Sequence, residues 1–211
     1  MDPRTGFQLA VTHYRQGQFE QAEARCRAAL KSQPTHPAGL HLMAMIQFRQ
    51  GRSDEAVATF DKLLRVQPPT PDVLNHRGVA LQQGQRFDEA LESFDSALRL
   101  KPDYAEALNN RATALKDLSR FEDAFQAIDK ALSVTPKSVS ALCNRGAILR
   151  SLDRPEEALV CFDQALALEP LSTTALNARG RVLYHLKRYK EASETFSQLL
   201  KIEPAFQLGR L

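Results

Sequence analysis

Three sets of residues in this chain could carry chemistry by type and spacing: its cysteines, its histidines, and two columns of opposite charge. Cys26, Cys143 and Cys161 contain no CxxC pair, and an odd number of thiols closes no disulfide framework. A reducing compartment suits them, so the expected location is cytoplasmic. His13, His36, His41, His76 and His185 form no HExxH and stand at no metal-ligand spacing to a cysteine. The nine glycines are scattered, with no phosphate-cradling run and no nucleophile elbow. The chain is therefore expected to be no enzyme and to hold no cofactor or metal. The charged columns are more regular. Asp61, Asp95, Asp129 and Asp163 recur every 34 residues, and so do Arg77, Arg111, Arg145 and Arg179. Each arginine follows its aspartate by 16 residues, which is the chemistry of ion pairing if the fold brings the columns together.

The composition is that of a folded soluble chain: 43% of the 211 residues are hydrophobic and 25% are charged. A formal net charge of +3, with acidic residues interspersed among the basic ones, marks a solvated surface. Strong phosphate binding needs denser basic clustering, so no nucleic-acid partner is expected. The opening MDPRTGFQLA lacks a basic start and a long apolar run, hence no secretory signal is read there. No apolar stretch is long enough to cross a bilayer, so membrane insertion is not expected.

The elements that position these residues follow from one period. Pro34, Pro68, Pro102, Pro136, Pro170 and Pro204 are spaced 34 apart without a slip. With that proline at position 32, the repeats are 3–36, 37–70, 71–104, 105–138, 139–172 and 173–206. Position 8 is always small: Ala10, Ala44, Gly78, Ala112, Gly146, Gly180. Position 20 is Ala22, Ala56, Ala90, Ala124, Ala158 and Ala192, and position 28 is leucine from Leu30 to Leu200. Position 24 is Phe60, Phe94, Phe162 and Phe196, with Cys26 and Ile128 in the other two repeats. Apolar residues recur at helical spacing in two blocks per repeat, which predicts two helices, A and B. Small residues at positions 8 and 20 let the helices cross closely. The proline cannot extend helix B and fixes the turn that follows. Acidic residues such as Asp88-Glu89 and Glu156-Glu157 favour the start of helix B. Cys26 and Cys161 fall at core positions, so inert burial is the expected fate of both thiols.

This pattern, small at 8, alanine at 20, aromatic at 24 and proline at 32, resembles the tetratricopeptide repeat family over residues 3–206. Two departures stand out: leucine mostly replaces the family's position-4 tryptophan and position-11 tyrosine, and the inter-helix glycine persists only as Gly17 and Gly51. The resemblance implies an all-α, right-handed superhelical solenoid of six helix-turn-helix repeats in a single domain, with 207–211 as a short tail. It also implies a protein-binding scaffold. The family usually carries leucine at position 7, where this chain has arginine in repeats 3 to 6. Repeat 1 has Arg27 at position 25, and repeat 2 has Met43 at position 7, so the two columns begin together. Four partly buried bridges are expected, Asp61–Arg77, Asp95–Arg111, Asp129–Arg145 and Asp163–Arg179. Removing one partner from a fully buried pair would cost roughly 3–5 kcal/mol.

By the same resemblance, the A helices line a concave groove. Its N-terminal half offers Phe7, Val11, Tyr14, His41, Met45, Phe48 and Val79, and its C-terminal half Asn109, Asn110, Thr113, Lys116, Asn144, Arg150, Asn177, Arg181 and Tyr184. Asn75 joins the asparagines at position 5, whose amides can pair with any peptide backbone. The expected partner is a protein or extended peptide, part hydrophobic and part acidic. No consecutive trio of repeats carries the carboxylate clamp of chaperone-binding members.

Solenoids need polar caps. The residues after Pro204 are few and apolar, leaving Val182, Tyr189, Phe196, Leu199 and Ile202 near an open end. Two expectations follow: self-association through that end, or membership of a longer chain. Repeats with an Asn144-Arg145-Gly146 triplet look like bacterial arrays placed ahead of glycosyltransferase domains related to the O-linked N-acetylglucosamine transferases. There they would recruit substrates for chemistry done elsewhere.

Overall fold

The structure, a computed structural model, describes residues 3–204. Within them lie twelve α-helices: α1 Pro3–Arg15, α2 Phe19–Ser32, α3 Pro37–Arg49, α4 Ser53–Val66, α5 Pro71–Gln83, α6 Phe87–Leu100, α7 Ala105–Asp117, α8 Phe121–Val134, α9 Val139–Ser151, α10 Pro155–Leu168, α11 Thr173–His185 and α12 Tyr189–Ile202. Odd-numbered helices are the A helices and even-numbered ones the B helices, and the all-α repeat reading holds. The chain divides into two compact units, Met1–Pro102 and Asp103–Leu211. Each contains three helical hairpins. The final residues of the chain, including those read above as a short tail, lie outside the described residues.

The two helix types start differently. Three A helices have side-chain caps: His36 Nδ1, Thr70 Oγ1 and Ser138 Oγ accept from the backbone N–H of Gly39, Val73 and Ala141, whereas Ser172 before α11 makes no such bond. Pro37 and Pro71 open α3 and α5, where a missing N–H costs nothing. B helices lack such caps. The N-cap residue of α2 is Gln18; those of α4, α6, α8, α10 and α12 are Arg52, Arg86, Arg120, Arg154 and Arg188, and each guanidinium grips an acid three residues on. These are Glu55, Glu89, Asp123, Glu157 and Glu191, at 2.6–3.0 Å. The carboxylates thus serve the helix dipole and an ion pair at once. Exposed pairs of this kind contribute about 0–1 kcal/mol each.

Between A and B the backbone turns through one left-handed residue per repeat, always at position 15. It is Gly17 (φ 73°), Gly51 (φ 77°), Gln85 (φ 59°), Ser119 (φ 59°), Asp153 (φ 57°) and Lys187 (φ 60°). The inter-helix glycine is lost from the later repeats, yet its conformation is kept.

Inside each hairpin the contact is tight. A Cβ built on Gly78, Gly146 or Gly180 would stand 2.5–2.6 Å from the ring of Phe94, Phe162 or Phe196. In these three repeats the aromatic of helix B occupies the space that a methyl at position 8 would need, whereas repeat 2 carries Ala44 together with Phe60. The alanines at position 20 are all buried, and Phe60, Phe94 and Phe162 are fully enclosed. Burying one such ring contributes about 1.5–3 kcal/mol. Each B helix then packs on the next A helix within its unit: α2 on α3, α4 on α5, α8 on α9, α10 on α11. Neighbouring A helices of a unit also touch (α1–α3, α3–α5, α7–α9, α9–α11), whereas consecutive B helices of the same unit do not among the described residues. The A side is therefore the closer-packed, concave side of each unit.

The left-handed residues yield a test. A side chain in this conformation costs roughly 1–2 kcal/mol, and glycine escapes most of it. Lys187→Gly, at an exposed loop site, is expected to raise stability by about 0.5–1 kcal/mol and the thermal midpoint by a few degrees. Gly51→Ala is expected to lower it, and calorimetry of both variants checks the pair.

Candidate functional site

The cysteines can be set aside on physical grounds. All three are buried and free. Burial, with Glu23 adding to it, pushes the Cys26 thiol up to about 12. Burial, then Glu169 and Cys161, push Cys143 up to about 11. Cys161 is raised as well by burial, although the Arg145 guanidinium opposes it. None offers a thiolate near neutral pH. No group of three or more His, Cys, Asp or Glu suited to a metal is found among the described residues.

The charged columns meet within each unit. Nε of Arg77 donates to Asp61 Oδ1 at 2.7 Å, Arg145 to Asp129 at 2.6 Å and Arg179 to Asp163 at 2.6 Å. Asp95 belongs to the first unit and Arg111 to the second. The same guanidiniums also reach helix B of their own repeat, donating to Ser93 Oγ, Cys161 Sγ and Thr195 Oγ1. Each arginine therefore ties the preceding B helix to its own hairpin. The hydroxyls of Ser93 and Thr195 are almost fully buried, so these bonds fill an acceptor need that water cannot reach. The aspartates are wetter than full burial would require, at 38–57% side-chain exposure against 21–26% for the arginines. The large cost expected for breaking a buried pair therefore does not apply here.

In the first unit, the A-helix residues named above divide into two groups. Phe7 and Tyr14 pack against the core cluster of Ala10, Ala22, Cys26, Met43 and Ile46. Phe7 also stacks on His36, with ring centroids 4.5 Å apart, and Tyr14 meets Phe19 edge-on at 5.7 Å. Asn75 is fully buried, which corrects its placement in the groove: its amide serves the interior and presents nothing to a ligand. Val11, His41, Met45, Phe48 and Val79 remain half-buried. His41 Nε2 and His76 Nδ1 share one hydrogen bond at 3.1 Å above the buried Phe60 ring. Burial first, then the charge on His76, hold the His41 imidazole below its ordinary 6.5, with Asp72 pulling the other way.

In the second unit, the amides answer one another. Asn144 Nδ2 donates to Asn109 Oδ1 at 2.9 Å and lies 3.4 Å from Thr113 Oγ1. Lys116 pairs with Asp117 at 2.6 Å. These groups spend part of their bonding capacity inside the wall. Asn110 and Asn177 are half-buried, whereas Arg150, Arg181 and Tyr184 are exposed. An open cavity of ≈ 760 Å³ beside this wall takes in Glu106, Asn109, Pro136 and Ser140. A second, ≈ 660 Å³, takes in Arg150, Arg181, Tyr184 and Tyr189.

The end of the array meets the sequence expectation only in part. Val182 and Leu199 are fully buried and Phe196 nearly so, because they form the core of the last hairpin. Tyr189 and Ile202 are exposed as expected, and Leu200 joins them. The sequence reading also missed a regular feature at position 30. Val66, Leu100, Val134, Leu168 and Ile202 close the B helices there, and each is 38–51% exposed. Their 34-residue spacing was the available signal.

Two tests follow. Asp61→Asn, Asp129→Asn and Asp163→Asn are each expected to cost less than about 1 kcal/mol in urea unfolding. A loss of 3 or more would mean the pairs are shielded from water after all. His41 has a depressed folded value, so its contribution is complete above the unfolded value and is lost as pH falls below it. The thermal midpoint is therefore expected to rise with pH through the lower histidine range, and His41→Gln to flatten that rise.

Among curated protein sequences none matches this one. Several solved structures share the fold. PilW, described as a widely conserved type IV pilus biogenesis factor, superposes with a TM-score of 0.88 at 22% identity, covering 98% of this chain and 96% of its own. PilF of Pseudomonas aeruginosa gives 0.79 at 19%, covering 98% and 94%. YrrB, described as a TPR protein with an unusual peptide-binding site, gives 0.65 at 21%, covering 82% and 90%. At these identities the likeness concerns the fold alone. Tetratricopeptide repeat matches cover residues 7–73, 41–105, 76–141, 139–170 and 173–206, so the hairpins, their columns and their sequence agree: the chain belongs to the tetratricopeptide repeat family.

Proposed function

We propose that this protein is a non-catalytic scaffold that binds segments of partner proteins on the concave A-helix faces of its units. The observation that carries the reading is a surplus of side chains. Packing of the repeats consumes the core columns, the Asp–Arg pairs and several asparagines, yet leaves a distinct set on the A side. In the first unit that set is Val11, Met45, Phe48 and Val79, half-buried and apolar. In the second it is Asn177, Arg150, Arg181 and Tyr184, polar and basic. The first suits an apolar segment and the second an acidic one. Methionine adapts to varied partners, and an amide can bond a peptide backbone whatever its side chains. The YrrB description, a peptide-binding site on a related fold, supports the same reading. Buried free cysteines fit a reducing cytoplasm.

Selection of peptides from a random displayed library on the purified full chain tests the proposal. Enriched peptides are expected to lose at least about tenfold in affinity, some on Met45→Glu and others on Asn177→Ala, with thermal midpoints unchanged. Peptides that bind both variants as tightly as the parent, or no enrichment at all, would sink it.

A further inference from the structure

We propose that Arg150 and Arg181 form an anion-binding subsite on the A face of the second unit, taking a doubly negative group carried by a segment of a partner protein. The inference rests on the scaffold reading above and gives it a ligand chemistry.

The arginines of this unit are mostly spoken for. Arg120, Arg145, Arg154, Arg179 and Arg188 each hold a carboxylate at 2.6–2.7 Å, and Arg111 is engaged as well. Arg150, in the last turn of α9, and Arg181, in the middle of α11, have no acidic partner among the described residues. These two unpaired cations are neighbours. They line the same open cavity of ≈ 660 Å³, and burial first, then the charge of Arg181, push the Arg150 guanidinium below its ordinary value. Two like charges held close together cost free energy until an anion joins them.

The rest of the cavity fits an incoming anion. Lys187 adds a third cation and Asp153 a single carboxylate, so the lysine, arginine and aspartate side chains lining the cavity leave two positive charges unbalanced. A dianion would neutralise them. Tyr184 and Tyr189 stand edge to face, ring centroids 5.4 Å apart at 64°, both about half exposed. They supply hydroxyl donors beside an apolar wall. Guanidiniums bind carboxylate and phosphoryl oxygens through paired N–H bonds, which a lone ammonium cannot do.

A tethered anion suits the site because Arg181 and Tyr184, which line the cavity, stand on the same helix as Asn177. Asn177, Arg181 and Tyr184 lie at i, i+4 and i+7 on α11 and so share one helical face. An extended segment whose backbone meets the Asn177 amide would carry its next side chains to the arginines. The shared chemistry is two negative charges within a short reach, as adjacent carboxylates or as one phosphoryl group.

The test measures fluorescence anisotropy of labelled short peptides on the full chain at low ionic strength. Three peptides differ only at two central residues: Glu-Glu, phosphoserine-Gly, or Gln-Gln. The Glu-Glu or phosphoserine peptide is expected to bind about tenfold or more tighter than its neutral twin. The R150Q/R181Q variant is expected to erase that preference, so that the charged peptides bind no tighter than their neutral twin. Its thermal midpoint is expected to hold or rise, since a repulsion has been removed. Preference for the phosphoserine peptide or for Glu-Glu identifies the source of the charge. If all three peptides bind alike, or the preference survives in the variant, the subsite is overturned while the scaffold reading stands. If no peptide binds either protein, both readings fall.

Discussion

The closeness of helix A to helix B within a hairpin governs much else in this molecule. Glycine at 78, 146 and 180 leaves a gap that a phenylalanine ring of helix B fills. The alanine at position 20 keeps the second contact equally thin. Because interiors pack to near-crystalline density, that geometry has little freedom. The turn must then reverse the chain within a few residues. It does so through one left-handed residue, whether or not glycine is available to take that role. The core packing of helix B on helix A, by a phenylalanine ring or in repeat 4 by Ile128, outweighs the local backbone cost at Gln85, Ser119, Asp153 and Lys187.

Stacking of hairpins uses a second device. Arginine at position 7 reaches back to the aspartate of the preceding repeat and forward to position 23 of its own. A leucine there would bury apolar area but would specify no partner. The guanidinium, with donors pointing two ways, links three helices at a fixed relative height. Half-exposed carboxylates keep its net contribution to stability modest, so the device bears more on register than on strength. The N-cap arginines of the B helices work similarly on a smaller scale, each holding the acid of its own first turn.

These devices also decide what is left for binding. Where arginine is answered by aspartate, the surface is neutral and structural. Where it is not, as at Arg150 and Arg181, charge remains available on the A side. Asparagines divide in the same way: Asn75 is enclosed and Asn109 and Asn144 bond each other, while Asn177 stays half-exposed. A groove residue is thus defined by what the neighbouring repeat fails to satisfy, and its position number alone does not say which residues those are.

The 34-residue period determined by itself the helices, the hairpin core and the family, because each rests on contacts local to one repeat or to adjacent ones. Small at 8, alanine at 20 and an aromatic at 24 leave little else to do but pack helix on helix. The sixteen-residue offset of aspartate and arginine was legible for the same reason. Burial was not legible residue by residue. Asn75 and Val182 look like a groove amide and an open-end valine in the repeat pattern, and only the packing of α5 and α11 encloses them. Nor could the period show that Arg150 and Arg181, 31 residues apart and in different columns, line one cavity. Which side chains become neighbours there depends on how tightly adjacent A helices approach, and tertiary packing sets that approach.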